Sequence, residues 1–490
     1  MEKIIKNKKT DLYVFLAIAL IIWAISFYIS LDFYDELWNF SNIYKMNNGY
    51  TIYNDLNVII TPLFFYIGEI LFKILGANFL TFRFYGCITN IFFWFMIYKV
   101  FNGLKVNKLN SAFYTLIIFL LAKIVINVSA NYNILAITLY MLGIFIHLKI
   151  DRNKKYLPII QGLITFTIFI TKQNIGIYYL IACFIMHMIY ILRNKEIKIE
   201  ALKFIKQLFT CIILVLIFLG ILYLQGNLQS FIDYCFLGIN EFAIENILLE
   251  PSSIILAVTI IINIAFSIYI LKTDKVDENI KDNNIKMMPF TIMIIFIMYP
   301  LANLFHGYAA FTVGIILLMA NISKILIEEI VDKNKLRKIY KVLISITLIY
   351  FSVRFIVTNY IYCKSLSLYI NPYFGSTITE EQIDNINKVC DFIKENNKNG
   401  IDVKIISYKS DLYVNVLNQN NGKMDLPFKG NLGGKGEDGL IDEISMLTNT
   451  KVLIQKDDEI FWQESQKVRD YIKDNFKCEG EIEDFLIYSK

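Results

Sequence analysis

The chain has 490 residues, 56% of them hydrophobic, 15% aromatic and only 19% charged, with a formal net charge of +5. Soluble domains run near half apolar and a quarter charged, so this balance argues against a cytosolic protein. With 22 Gly, 7 Pro and 7 Cys it also excludes collagen-like, disordered and disulfide-scaffold classes.

Charge divides the chain in two. The first 361 residues carry 32 basic and 21 acidic side chains, whereas 362–490 carry 16 and 22. A transmembrane part (1–361) followed by a water-soluble tail (362–490) is predicted. The basic excess lies in short loops between apolar runs, which gives no reason to expect nucleic acid as a partner.

A spanning helix needs about 20 apolar residues to cross roughly 30 Å of hydrocarbon. Runs of that kind lie near 12–30, 80–98, 111–128, 132–149, 156–171, 175–192, 207–225, 252–271, 289–304, 308–327 and 342–361. A further stretch, 58–75, holds Pro62, Gly68, Glu69 and Lys73 and reads either as a twelfth span or as a helix lying in the interface. The positive-inside rule decides. With 58–75 interfacial and the N-terminus cytoplasmic, the inner segments hold 26 Lys/Arg and the outer ones before 361 hold five: Lys45, Lys73, Arg83, Lys123 and Lys172. The expectation is therefore a multi-pass cell-membrane protein of about 11 spans, with its C-terminal domain outside the cytoplasm and a first outer loop over 31–79. The N-terminal lysines before an apolar run have the look of a signal peptide. Ala17-Ile18-Ala19 comes too early for a cleavage site, so an uncleaved first helix is expected.

The tail reads as a compact α/β domain. Thr379 and Gln382 have capping-box spacing, and Ile383, Ile386, Val389 and Ile393 form one helical stripe. Strands are predicted at 403–407, 452–455 and 485–488, with helical patterns near 439–447 and 463–475. Gly430-Asn431-Leu432-Gly433-Gly434-Lys435-Gly436 invites a phosphate-loop reading, but it lacks the G-x-x-x-x-G-K-[ST] pattern and a preceding strand, so a surface loop is favoured. Cys87, Cys183, Cys211 and Cys235 lie in apolar segments as small hydrophobes. Cys363, Cys390 and Cys478 lie in the tail and could pair, in no metal-site spacing.

Polar groups at the membrane edge are costly, so their positions inform. After the first span comes Ser30-Leu31-Asp32-Phe33-Tyr34-Asp35-Glu36-Leu37-Trp38, three carboxylates within five residues. They suit a solvated loop with aromatic belt anchors, or a carboxylate held to take a proton from an acceptor hydroxyl. An amphipathic stretch 37–46 follows, then Asn48-Gly49-Tyr50-Thr51-Ile52-Tyr53-Asn54-Asp55, then Thr61-Pro62-Leu63, an apolar Phe64–Leu75, Gly76 and Arg83. In this order the features resemble the GT-C superfamily of membrane glycosyltransferases, closest to its protein O-mannosyltransferase and aminoarabinose-transferase branch, over about residues 12–100.

The resemblance implies an α-helical polytopic fold and a glycosyltransferase that takes a polyprenyl-phosphate-linked sugar donor and moves the sugar to a cell-envelope acceptor (protein, lipid or polymer). It makes Asp35 the catalytic base and Glu36 its neighbour, orienting it or binding acceptor or metal. Tyr53, Asp55 and Arg83 fall in the matching stretch as candidate substrate or phosphate ligands. One departure stands out: where the aminoarabinose branch has a Lys-Pro-Pro element that helps hold lipid phosphate, this chain has Ile60-Thr61-Pro62. Lys172, in the break Thr171-Lys172-Gln173-Asn174, and His306, in Asn303–Tyr308, are the candidates to supply that function, each set against a plain role in a turn. His147 and His187 lie near inner helix ends, where a structural role is expected. The outer loop 226–251 holds Asp233, Glu241, Glu245 and Glu250 without Lys or Arg. It could face an acceptor or bind a divalent cation, although no compact metal motif is visible and solvated charge is favoured. The rival reading is a non-catalytic transporter or flippase of polyprenyl-linked glycans, or a surface-polymer assembly factor. It would call for internal repeats and mid-depth polar sites, and neither is evident.

Overall fold

The computed structural model describes residues 2–26, 31–32, 35–121, 129–238, 251–273, 276–298, 304–323, 342, 353, 372–375, 380–419, 421–424, 428, 430–457 and 464–490. In chain order the helices up to residue 322 are α1 (Glu2–Ser26), α2 (Asp35–Asn47), α3 (Leu63–Leu75), α4 (Phe79–Gly103), α5 (Lys108–Leu121), α6 (Tyr132–Lys149), α7 (Leu157–Thr171), α8 (Gln173–Asn194), α9 (Ile197–Leu224), α10 (Leu228–Ile232), α11 (Pro251–Lys272), α12 (Glu278–Met298) and α13 (Leu304–Ile322). Ten of the predicted runs coincide with ten of these helices. The eleventh, 342–361, lies outside the described residues except for 342 and 353, both helical. Four described helices, α4, α6, α8 and α9, are long and apolar enough to cross a membrane.

Several helices outrun their apolar segments. α1 reaches back to Glu2, α9 begins at Ile197 and α12 at Glu278, inside stretches predicted as loops. Lys, Glu, Ala and Leu favour helix whether or not they are buried in lipid. In α12 the polar positions also find partners: Asn284 and Asn321 exchange amide hydrogen bonds of 3.0 and 2.8 Å, and Ser267 donates to Asn284.

The 58–75 stretch becomes α3, 13 residues long. At 1.5 Å per residue that is about 20 Å, too short to span. Phe64, Phe65 and Phe72 point inward, while Ile70, Ile74 and Leu75 stay exposed, the apolar outer face of a helix suited to an interface.

The stretch read as an amphipathic interface helix is different. Every residue of α2 from Glu36 to Ile43 is buried. Its apolar side packs on α3 and α4, and its polar side meets the tail instead of water: Lys45 pairs with Asp411 at 2.5 Å, and Asn415 donates to Ser41 at 2.8 Å.

The tail comprises α14 (Glu380–Lys398), β1 (Asp402–Ile406), α15 (Ser410–Leu417), α16 (Gly436–Ser445), β2 (Thr450–Gln455), α17 (Gln466–Asn475), β3 (Lys477–Ile482) and β4 (Phe485–Ser489). The sheet order is β1-β2-β4-β3, with β1 parallel to β2 and the other pairs antiparallel. Alternation sorts its faces. Val403, Ile405, Leu453, Phe485 and Ile487 join α14, α15, α2 and α3 in one hydrophobic core. Ile406, Val452, Ile454 and Tyr488 form a second core with α16 and α17. The predicted stripe Ile383, Ile386, Val389 and Ile393 is buried as expected, and Cys390 and Cys478 are free thiols. The chain is thus an α-helical membrane bundle carrying a small α/β domain, and a shared core welds that domain to one end of the bundle.

Candidate active site

The first turn of α2 holds two adjacent carboxylates in unlike surroundings. Glu36 is buried and takes a two-point ion pair from Arg83, Nε to Oε1 at 2.6 Å and Nη2 to Oε2 at 2.8 Å. It also accepts from the Asp32 backbone N–H at 3.1 Å. Arg83 in turn donates to the Ser26 carbonyl at 3.0 Å and packs on the Phe79 ring. The guanidinium offered to phosphate by sequence is therefore engaged by Glu36, and together they fasten the end of α1, the start of α2 and α4.

Asp35, one residue earlier, is the accessible residue of that buried stretch. It is open to solvent yet crowded by protein. That crowding pushes its carboxyl up to about 6; Asp32 adds to the rise and Lys172 opposes it. Lys172 sits in the extended break between α7 and α8, with φ −155° and ψ 112°. The break is tight because Gly176 lies against the Phe169 backbone, where a Cβ would meet Phe169 Cα at 2.4 Å. The Lys172 side chain is only 6% exposed. Its ammonium donates to Asn133 Oδ1 and lies 5.2 Å from the Tyr132 ring centroid. Burial lowers its pKa to about 8, and Asp35 pulls it back up. Among the described residues neither Asp35 nor Lys172 forms an ion pair, although each acts on the other electrostatically.

Around Lys172 several buried amide atoms have no hydrogen-bond partner: Asn131 Nδ2, Asn133 Nδ2, Gln173 Oε1 and, on α2, Asn39 Oδ1. Orphaned buried polar atoms are costly, and a native structure keeps few without a reason. Asn131 uses its oxygen to cap α6 at the Asn133 N–H (2.7 Å), which leaves its N–H2 unused. Trp38, one turn beyond Asp35, sets its ring edge-on to Tyr132 at 6.1 Å and closes that side. Thr61 donates to the Phe169 carbonyl at 2.7 Å, so the Ile60-Thr61-Pro62 element lies on the end of α7, three residues from Lys172.

The remaining candidates fall elsewhere. Tyr53, at φ +69°, is fully buried and donates to the Ile60 carbonyl at 2.9 Å, pinning its own loop. Asp55 accepts from the Thr51 N–H at 2.7 Å and closes a surface turn. Neither is positioned beside Asp35 by any of these bonds. His306 falls in the first turn of α13, and its side chain lies outside the described residues, as do Glu241, Glu245 and Glu250. His187 pairs with Glu200 at 2.8 Å, and His147 lies 3.8 Å from the Cys183 sulfur, at the far end of the bundle. Among the described residues no three His, Cys, Asp or Glu converge as a cation site: Glu36 is held by Arg83, and Asp233 lines a separate cleft. The described carboxylates do not fit a metal cage. Sequence reasoning passed over Asn131, Tyr132, Asn133 and Trp38. The signal available was the polar triplet Asn131-Tyr132-Asn133 opening an otherwise apolar span.

No protein-family model matches the sequence, and no curated protein matches it. Solved structures do share its fold. ArnT from Cupriavidus metallidurans bound to undecaprenyl phosphate superposes with a TM-score of 0.55 at 10% identity, covering 97% of each chain. The apo form gives 0.55 at 11%, again over 97% of each chain. An Archaeoglobus fulgidus oligosaccharyltransferase, in complex with Zn and sulfate, gives 0.52 at 11%, over 90% of this chain and 68% of its own. The architecture is the GT-C fold.

Proposed function

We propose that this chain transfers a sugar from a polyprenyl-phosphate carrier to an acceptor on the outer face of the membrane, with inversion at the anomeric carbon. The observation that carries the reading is the accessible carboxylate of Asp35 facing the buried ammonium of Lys172 with no ion pair joining them. A structural pair would close on itself. These two stay apart, with unsatisfied buried amides nearby.

In this mechanism Asp35 takes the proton of the acceptor hydroxyl as its oxygen bonds to the anomeric carbon from the side opposite the phosphate. The bond from that carbon to the phosphate oxygen breaks, and polyprenyl phosphate leaves. Lys172 stabilises the charge that develops on the leaving phosphate, and the free N–H2 groups of Asn131 and Asn133 are placed to donate beside it. Lys172 reaches the neighbourhood of Thr61-Pro62 from another helix, so it supplies the cation that the Lys-Pro-Pro element would otherwise provide. His306 is assigned to the same phosphate. Glu36 and Arg83 hold Asp35's helix in place instead of touching substrate. Undecaprenyl phosphate in the ArnT structure and the shared fold support a lipid-phosphate donor.

The test is release of polyprenyl phosphate from a sugar-charged lipid when purified protein in detergent is given acceptor. Asp35→Asn should lose about 10²–10⁴-fold in turnover while keeping its thermal stability. A transporter or flippase would show no release, and normal release by folded Asp35→Asn would remove the proposed base.

A further inference from the structure

Apart from the Asp35–Lys172 region, a cleft of about 450 Å³ opens where the bundle meets the tail. Its walls come from three distant parts of the chain: Asn57 of the first loop, Gln229 and Asp233 after α9, and Lys423, Lys435 and Glu443 of the tail. The glycine-rich segment 430–436 forms part of the rim. Gly433 and Gly436 adopt φ of +71° and +56°, and a Cβ on Gly433 or Gly434 would meet the Asp233 carboxylate at 2.5 or 2.6 Å. The glycines are there so that this loop can lie flush against Asp233.

The charges in the cleft do not neutralise one another. Among the described residues Asp233, Glu443, Lys423 and Lys435 form no ion pair. Burial raises the pKa of Glu443's carboxyl, and both lysines oppose that rise without cancelling it. Lys423 lies 4.8 Å from the ring centroid of Tyr234, whose hydroxyl donates to Asn57 Oδ1 at 2.8 Å. Carboxylates, ammoniums and amides that face one space present acceptors and donors side by side. An anion would meet Asp233 and Glu443, and a cation would meet the lysines. Tyr234, Leu432, Leu440 and Met446 add apolar surface between these groups. A hydroxyl both donates and accepts, so a ring of hydroxyls can satisfy both kinds of group at once. The volume lies in the range of small-ligand sites.

The cleft is also tied to the proposed chemistry. Gln173, next to Lys172, donates to the carbonyls of Ile59 (2.9 Å) and Cys235 (3.1 Å), which lie two and one residues from the wall residues Asn57 and Tyr234. We propose that this cleft is the acceptor subsite and that it takes a neutral, hydroxyl-rich glycan. The proposal rests on the transferase reading above.

The test titrates full-length protein in nanodiscs with cell-envelope polymer from the source cells, one portion digested with protease and one oxidised with periodate, which cleaves vicinal diols. Binding should survive protease and vanish after periodate. Glu443→Gln and Lys423→Met should each weaken it about tenfold or more. Binding that survives periodate but not protease, that ignores both cleft substitutions, or that occurs with neither portion overturns the glycan subsite. No release of polyprenyl phosphate by the wild type, with glycan binding intact, would instead remove the transferase reading and leave the binding result standing. Transfer by Glu443→Gln with an unchanged acceptor KM would overturn the subsite alone.

Discussion

The two ends of the helix bundle handle buried charge in opposite ways. At the end far from α2, Glu200 is fully buried, pairs with His187 and Lys203 at 2.8 Å, and has Arg152 at 3.7 Å. Arg152 stacks on Tyr190, which donates to Asp282, itself paired with Lys286. Glu200 and Asp282 each have a base, although Arg152 Nη1 has no hydrogen-bond partner. At the other end, Asp35 and Lys172 share one region without pairing, and four buried amide atoms beside them stay unsatisfied. His187 lies 14 residues along α8 from Gln173, about 21 Å away. The contrast is one of charge: at the far end the buried carboxylate is ion-paired, whereas Asp35 and Lys172 are not, which is why the proposed chemistry is assigned to their end.

The sharpest way to break this comparison is Lys172→Met. Removing a preorganised cation from the leaving group should cost about 10²–10³-fold in kcat. The pH profile discriminates further. Asp35 works deprotonated and Lys172 protonated, so the wild type should be most active between about 6 and about 8. Without the lysine the acid limb should move to higher pH, because the cation that holds Asp35 down is gone, and the alkaline limb should disappear. An unmoved profile would separate Lys172 from the chemistry.

Arg83→Met probes the neighbouring pair. It leaves Glu36 buried and uncompensated and should destabilise the protein by about 3–5 kcal/mol, read as a fall in melting temperature. Adding Glu36→Leu should restore most of the loss, since an apolar pair of similar volume is nearly neutral. A stable but inactive double variant would give the pair a chemical role. At the ion-paired end, Glu200→Gln should cost about 1–3 kcal/mol of stability while kcat is unchanged. Loss of turnover there would erase the distinction between the two ends. The smallest effect belongs to Asp55→Ala, which removes one turn-closing acceptor. About 0.5–1.5 kcal/mol and no change in donor KM are expected, by thermal melts and kinetics.

Much of this was legible in the sequence because membranes impose one-dimensional rules. Apolar length located ten helices, and the lysine distribution left 58–75 unfit to span, as the short α3 also is. Three of four tail strands followed from β-rich runs. β3, with Lys477, Glu479, Gly480 and Glu481, has no apolar alternation and is held by pairing to β4. Periodicity reports that α2 has two unlike faces but not what covers the polar one, and the cover turned out to be Asp411 and Asn415. The Asp-Glu pair was visible from its placement after the first span. That its two members part company, one locked to Arg83 and one open, depends on a residue 47 positions away. Lys172 was visible as a rare outer cation, whereas its cradle of Tyr132 and Asn133 needed three dimensions.

The Lys45–Asp411 pair joins residues 366 positions apart. At ribosomal speeds of about 5–20 residues per second, about 20–70 seconds separate the synthesis of one partner from that of the other. Throughout that interval the helix that begins at Asp35 is inserted beside nascent spans with its polar flank uncovered. A prematurely terminated chain would therefore leave that flank without Asp411 and Asn415, so the packing around α2 is complete only once the last quarter of the chain has been made.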